Sequence, residues 1–102
     1  MLHRGDIFFA DFGYKRRPWL VVQNDVGNEH SEYTIIVPLT SKTDKKLPTH
    51  CIVCWGKIHP SSVHCEEIRQ ALIDEDWRVV EHLPPEIMRH VDECLKVALG
   101  LR

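Results

Sequence analysis

The chain has 102 residues, of which 43% are hydrophobic and 27% charged. That suits one soluble globular domain over residues 1–102 rather than two. No stretch approaches the ~18 apolar residues of a membrane span. MLHRGDIFFADFG at the start has an acid at Asp6 and no apolar signal core, so export is not expected and a cytoplasmic location is. The net charge of −2 speaks against a general polyanion binder, but it hides an asymmetry.

Residues 1–57 hold 8 Lys/Arg against 6 Asp/Glu, a balance of +2, while residues 58–102 hold 5 against 9, a balance of −4. The positive charge gathers at Lys15, Arg16 and Arg17 and again at Lys42, Lys45 and Lys46. A local basic patch can steer phosphates toward a protein that is acidic overall.

Asp6 to Asp11 reads as a strand carrying Ile7, Phe8, Phe9 and Ala10. A tight connection containing Gly13 leads to a second strand, Trp19 to Gln23, and apolar residues on both faces imply burial on both sides or a sheet curled on itself. Asn24 to Asn28, rich in turn formers, predicts the start of a loop. Tyr33 to Thr40 is a third strand, and Pro38, which cannot donate to a ladder, predicts an edge or a bulge near its end. Thr49 to Trp55 reads as a fourth strand and Val63 to Leu72 as a long, bent fifth. Asp74 to Arg78 suits one helical turn, and Val79 to Leu83 a short extended piece. Pro84 to Leu99 predicts a helix. Pro85 and Glu86 suit its first turn and Gly100 its stop. Ile87, Met88, Val91, Cys94, Leu95 and Ala98 form its core-facing stripe. Val97, Leu99 and Leu101 fall off that stripe, where a second subunit can meet them or the helix end frays. Many strands, short connections and one closing helix give a mainly β (α+β) fold, a small antiparallel barrel or curled sheet with a helix packed on it.

Four cysteines without a signal peptide imply reduced thiols. Cys51 and Cys54 form a CxxC, but within a strand that spacing sends the two side chains to opposite faces, which suits neither zinc nor redox chemistry. No metal or other cofactor is expected.

Two segments concentrate the chemistry: RRPWLVVQND, Arg16 to Asp25, and IIVPLTSK, Ile35 to Lys42, which leads into KKLPTH, Lys45 to His50. Arg17 stands at the rim of the first apolar run and Thr40 at the rim of the second. A guanidinium and a hydroxyl held on strand ends can grip a phosphate, and a nucleic-acid backbone is the expected substrate. His64 and His50 are candidate proton carriers, as imidazoles titrate near neutrality. The commoner role for each is structural. Glu67 can read a base edge, take a proton, or simply pair with Arg69 or a lysine.

RGDIFFADF, RRPWLVVQND, IIVPLTSK, KKLPTH, EEIR (Glu66 to Arg69) and the closing helix ending in LGL occur in one order along nearly the whole chain. Together they resemble the MazF/PemK (Kid) family of bacterial toxin–antitoxin toxins. The resemblance implies an SH3-like barrel, a homodimer, metal-free and sequence-selective cleavage of single-stranded RNA, and inhibition by a cognate antitoxin. It places the family's catalytic arginine on Arg17 and its catalytic threonine on Thr40. Lys15, Arg16, Lys42 and Glu67 are expected to bind RNA. The sequence departs from the family in two places. EEIR stands where many relatives read EQIR. Only GYKR, Gly13 to Arg16, joins Phe12 to Arg17, where relatives carry a longer loop over the RNA. Tyr14 can compensate by stacking on a base, a contact worth roughly 1–3 kcal/mol. The shortened loop also leaves room for a second reading, a non-catalytic toxin of the same fold that binds a protein such as DNA gyrase.

Overall fold

The computed structural model describes residues 1–44 and 46–102; Lys45, counted above in the second basic cluster, lies outside the described residues. The elements in order are β1 (Asp6–Asp11), β2 (Arg16–Val21), α1 (Asp25–His30), β3 (Tyr33–Thr40), β4 (His50–Val53), β5 (Ser61–His64), β6 (Arg69–Leu72), β7 (Val79–His82) and α2 (Pro85–Leu99). The strands pair antiparallel in the order β4-β5-β3-β2-β1-β7, and β6 joins β3 off this path. The result is a curled, open SH3-like barrel with a C-terminal helix, as expected.

Sequence alternation explains the curl. On β1, β2 and β3, one set of side chains (Ile7, Leu20, Val37, Leu39) joins Val63, Cys65, Leu83, Met88 and Val91 in one buried cluster. The opposite set (Phe8, Ala10, Trp19, Val21, Ile36) packs with Ala71 in a second. Both faces are therefore covered, the first by α2. Met88 and Val91 are buried in that cluster, with Ile87, Cys94, Leu95 and Ala98 packed against it, so the whole predicted stripe faces the core. Gly100 ends the helix at φ 71°, a left-handed conformation that glycine adopts without steric cost.

β3 explains Pro38. The strand is central rather than an edge. Its first half pairs with β6 as far as Ile36, and its end pairs with β5 from Leu39. Pro38 occupies the step where one partner gives way to the other, so a missing N–H disturbs neither ladder.

Three further expectations are corrected. Asn24–Asn28 does not begin a plain loop: Asp25–His30 is helical, and the Asn24 side chain caps it by accepting from the Gly27 N–H at 2.8 Å. Asparagine is both a turn former and a favoured N-cap, so composition alone does not separate the two. The long fifth strand breaks into β5 and β6 around a turn in which the Glu67 N–H donates to the His64 carbonyl at 3.1 Å. Asp74–Arg78 forms no helical turn. Its Asp74 carboxylate instead accepts from the Asp76 N–H, and its carbonyl from the Trp77 N–H.

Candidate active site

The β2–β3 register pairs Trp19 with Pro38, Leu20 with Val37 and Val21 with Ile36. Continued two residues outward, it sets Arg17 across from Thr40. Both line one cleft of about 350 Å³, together with Lys42, Asp44, His50, His64 and Glu67.

The sheet supplies the shared face. Thr40 pairs with Ser62, Ile52 with Ser62, and His50 with His64. Directly opposed residues project to the same side of a sheet, as do residues two apart. Thr40, Ser62, Ile52, His50 and His64 therefore share one face, and Leu39, Val63, Cys51 and Val53 point into the core behind it.

Arg17 is partly buried. Its guanidinium lies over the Trp19 ring, 5.5 Å from the centroid. The indole is fixed in turn by a bond from its Nε1 to the Ala10 carbonyl and by an edge contact with Phe12. Arg17 Nε is buried, and among the described residues it has no hydrogen-bond partner; the same is true of Ser62 Oγ. Buried polar atoms are nearly always paired, so this unpaired donor beside the cleft leaves Arg17 with bonding capacity that water or a ligand can take up. Thr40 Oγ1 accepts from the Lys42 N–H at 3.3 Å, which leaves its own proton free to be donated.

The histidines form the second half of the site. Their rings stack with centroids 3.8 Å apart and planes 3° from parallel. His50 Nε2 lies 2.9 Å from Glu66 Oε2, and His64 Nδ1 lies 2.7 Å from Glu67 Oε2. Burial pushes the Glu66 carboxyl up, but the bonds from Thr49 and His50 outweigh it and hold the group below the usual glutamate range. Ligand atoms of His50, His64 and Glu66 come within 4.8 Å of one another, close enough to suggest a metal. The stacked rings argue otherwise: their lone pairs run side by side in parallel planes, whereas an ion needs nitrogens aimed at one point about 2.0–2.1 Å away. Two carboxylate–imidazole pairs describe the arrangement better.

Of the residues read from sequence, the cleft brings together Arg17, Thr40, Lys42, Glu67, His64 and His50. It does not gather Arg16, Lys15 or Tyr14. Arg16 points to the other side of β2, over the Phe9 ring, and lines a separate groove with Asp74, Asp76 and Trp77. Tyr14 is 86% exposed on the β1–β2 connection, with the Lys15 ammonium 5.7 Å from its ring. Glu67 meets His64, not Arg69, whose guanidinium covers Phe12 at 4.5 Å. Sequence reasoning missed Asp44, which follows closely on Lys42 and reads as loop solvation. The CxxC divides, Cys51 buried in β4 and Cys54, just past the strand's end, exposed.

Comparison with known proteins bears on the family and the fold. The family model for PemK-like, MazF-like toxins of type II toxin–antitoxin systems matches residues 3–99. Endoribonuclease EndoA of Bacillus subtilis is 37% identical over 116 residues, covering 99% of this chain and 97% of that protein. Among solved structures, an endoribonuclease in complex with its cognate antitoxin, from a mycobacterial species, superposes with a TM-score of 0.90. It is 28% identical and is covered over 98% of its length by 100% of this chain. A MazE–MazF complex from Deinococcus radiodurans, at 20% identity, shares the fold with a TM-score of 0.79 over 99% of this chain and 97% of that one. With nearly every residue matched in sequence and in backbone path, this chain belongs to the PemK-like, MazF-like family of toxins of type II toxin–antitoxin systems.

Proposed function

We propose that this chain is the endoribonuclease toxin of a toxin–antitoxin pair. It acts in the cytoplasm as a single domain over residues 1–102, assembled as a homodimer, and is restrained by a cognate antitoxin. Its substrate is single-stranded RNA, cut at preferred sequences and without a metal ion.

The observation that carries this reading is the Arg17–Thr40 pair on one cleft, with an unpartnered buried Nε on the arginine and an available proton on the threonine. In metal-free cleavage the ribose 2′-hydroxyl attacks the neighbouring phosphorus, so only RNA can react. Negative charge builds on the non-bridging oxygens as the phosphorane forms. Arg17 meets two of them with its fixed fork of donors, and Thr40 donates to a third. Donors already in place stabilise that charge without reorganising, commonly the largest catalytic effect. Lys42 adds positive potential at the mouth. Tyr14, Lys15 and Arg16, outside the cleft, are suited to the flanking RNA.

Purified protein incubated with a long mixed-sequence transcript in EDTA is expected to cut it at discrete sites, and an Arg17→Ala variant is expected to lose about two to three orders of magnitude in rate. Intact RNA with the wild-type protein would refute the nuclease. It would turn attention to the second reading, a non-catalytic toxin that binds a protein target such as DNA gyrase, which the four-residue connection between β1 and β2 leaves open.

A further inference from the structure

Attack by a 2′-hydroxyl requires a place for its proton, and a guanidinium, protonated at any working pH, cannot take it. Among the described residues of the cleft, His64 is the best arranged to do so. His64 ends β5 and faces the same cleft as Arg17 and Thr40. Its Nδ1 lies 2.7 Å from Glu67 Oε2. A carboxylate only accepts, so Nδ1 carries the hydrogen and Nε2 of the neutral ring is left with the lone pair. Nε2 has no hydrogen-bond partner among the described residues. His50 lies flat behind the ring at 3.8 Å, and its side chain is only 4% exposed. Its own bond to Glu66, itself held by the Thr49 hydroxyl at 2.8 Å, keeps that backing plane in position.

We propose that His64 is the general base of the cut, with Glu67 and His50 as its positioning residues. The assignment rests on the nuclease reading above. In the step, Nε2 takes the 2′-hydroxyl proton while the 2′-oxygen–phosphorus bond forms. The phosphorus–5′-oxygen bond then breaks, and the leaving 5′-oxygen takes a proton from solvent water. The products are a 2′,3′-cyclic phosphate and a free 5′-hydroxyl, and the imidazolium returns its proton to solvent. EEIR acquires a role here that neither base reading nor pairing with Arg69 supplies. With Glu67 as a carboxylate, the hydrogen on Nδ1 is held in place; with an amide, the tautomer is no longer fixed.

Among the described residues, the charged and titratable groups around His64 are Arg17 from β2, Lys42 and Asp44 after β3, His50 from β4, Glu66 and Glu67 in the following turn, and Cys94 of α2, whose thiol reaches the His50 carbonyl. Cleavage of the mixed-sequence transcript in EDTA is measured from pH 5 to 9 for wild type, His64→Ala, His64→Phe and Glu67→Gln. Binding is followed in parallel with a 2′-O-methyl RNA that cannot react. His64→Ala is expected to slow cutting about 10²–10⁴-fold, to flatten the rise in rate with pH, to bind the inert RNA as wild type does, and to recover when free imidazole is added. His64→Phe keeps a ring on the His50 stack, so it is expected to fold and bind yet stay slow, with imidazole no help in a filled site. Glu67→Gln is expected to cut more slowly with unchanged binding. If wild type cuts and His64→Phe cuts within about twofold of it, the base assignment falls and the nuclease stands. Loss of binding in parallel with rate and no rescue of His64→Ala also overturns the assignment. Intact RNA with wild type removes both together.

Discussion

In the proposed cut Thr40 has one task, which is to present a hydroxyl proton beside Arg17 from a strand end. Its Oγ1 already accepts from the Lys42 N–H, and β-branching narrows its rotamers, so the donor is aimed before substrate arrives. Replacing it with valine keeps the shape and removes the donor. Thr40→Val is expected to lower the RNA cleavage rate about 10²–10³-fold while Thr40→Ser keeps most of it, a contrast read from initial rates on one transcript. Equal activity in the two variants would remove Thr40 from the chemistry. At this scale the sequence was informative for residue types and silent on neighbours. Arg17 and Thr40 stand out as polar groups at the rims of apolar runs. Arg16 is as basic as Arg17, yet one step along a strand sends it to the opposite side, over Phe9. Only when β2 is paired does it become clear which of the two faces the cleft.

The elements show where local signals mislead. α1 is short, with a glycine inside it, and is held by a buried polar residue, not by propensity. Asn28 is 5% exposed. Its Oδ1 accepts from Gln23 Nε2 at 3.0 Å and from the Thr34 hydroxyl at 2.7 Å, and its Nδ2 donates to the Gln23 carbonyl at 3.0 Å. Thr34 is itself fully buried in β3. Removing the amide strands a buried hydroxyl and a carbonyl. Asn28→Ala is therefore expected to cost about 1–3 kcal/mol, seen as a lower denaturation midpoint with little change in m-value. A midpoint equal to wild type would mean that water replaces the network freely. β5 and β6 teach a related lesson. Val63 and Cys65 keep the two-residue period of a half-buried strand, but Glu66 and Glu67 side by side break it. That break was the available sign of a turn. The turn is what carries both carboxylates to the histidines.

Across the whole molecule, the thiols report how tightly the barrel and α2 are joined. Burial raises Cys51 from the usual 9.0 to about 11, aided by Cys94 nearby. Burial raises Cys65 to about 12, with Cys94 and Cys51 adding to it. Burial also raises Cys94, against a bond from Cys51 that lowers it. A thiol that ionises later in the folded state than in the unfolded one stabilises the fold fully below the unfolded value. That stability is lost as pH climbs past 9.0 toward the folded values. Unfolding midpoints are expected to hold steady up to about pH 9 and then fall, and to fall less steeply in a Cys51→Ala/Cys65→Ala double variant. At neutral pH a thiol reagent is expected to modify exposed Cys54 rapidly, with Cys51 and Cys65 reacting only on unfolding. Four equally fast thiols would contradict the packing of α2 on the sheet.

The chain by itself determined what depends on neighbours close in sequence. Spacing of three and four residues fixed the buried stripe of α2, apolar residues on both faces of the first strands implied burial on both sides, and Gly100 marked the helix stop. It also singled out the kinds of group in the proposed site, an arginine and a threonine at strand ends. Tertiary structure alone decided which groups meet. His50 and His64 stack because β4 and β5 align in one register, and Arg17 and Thr40 line one cleft because β2 and β3 pair beside it. Register is chosen by burying apolar side chains from distant parts of the chain against one another, and a slip of one residue would turn each of these groups to the other face.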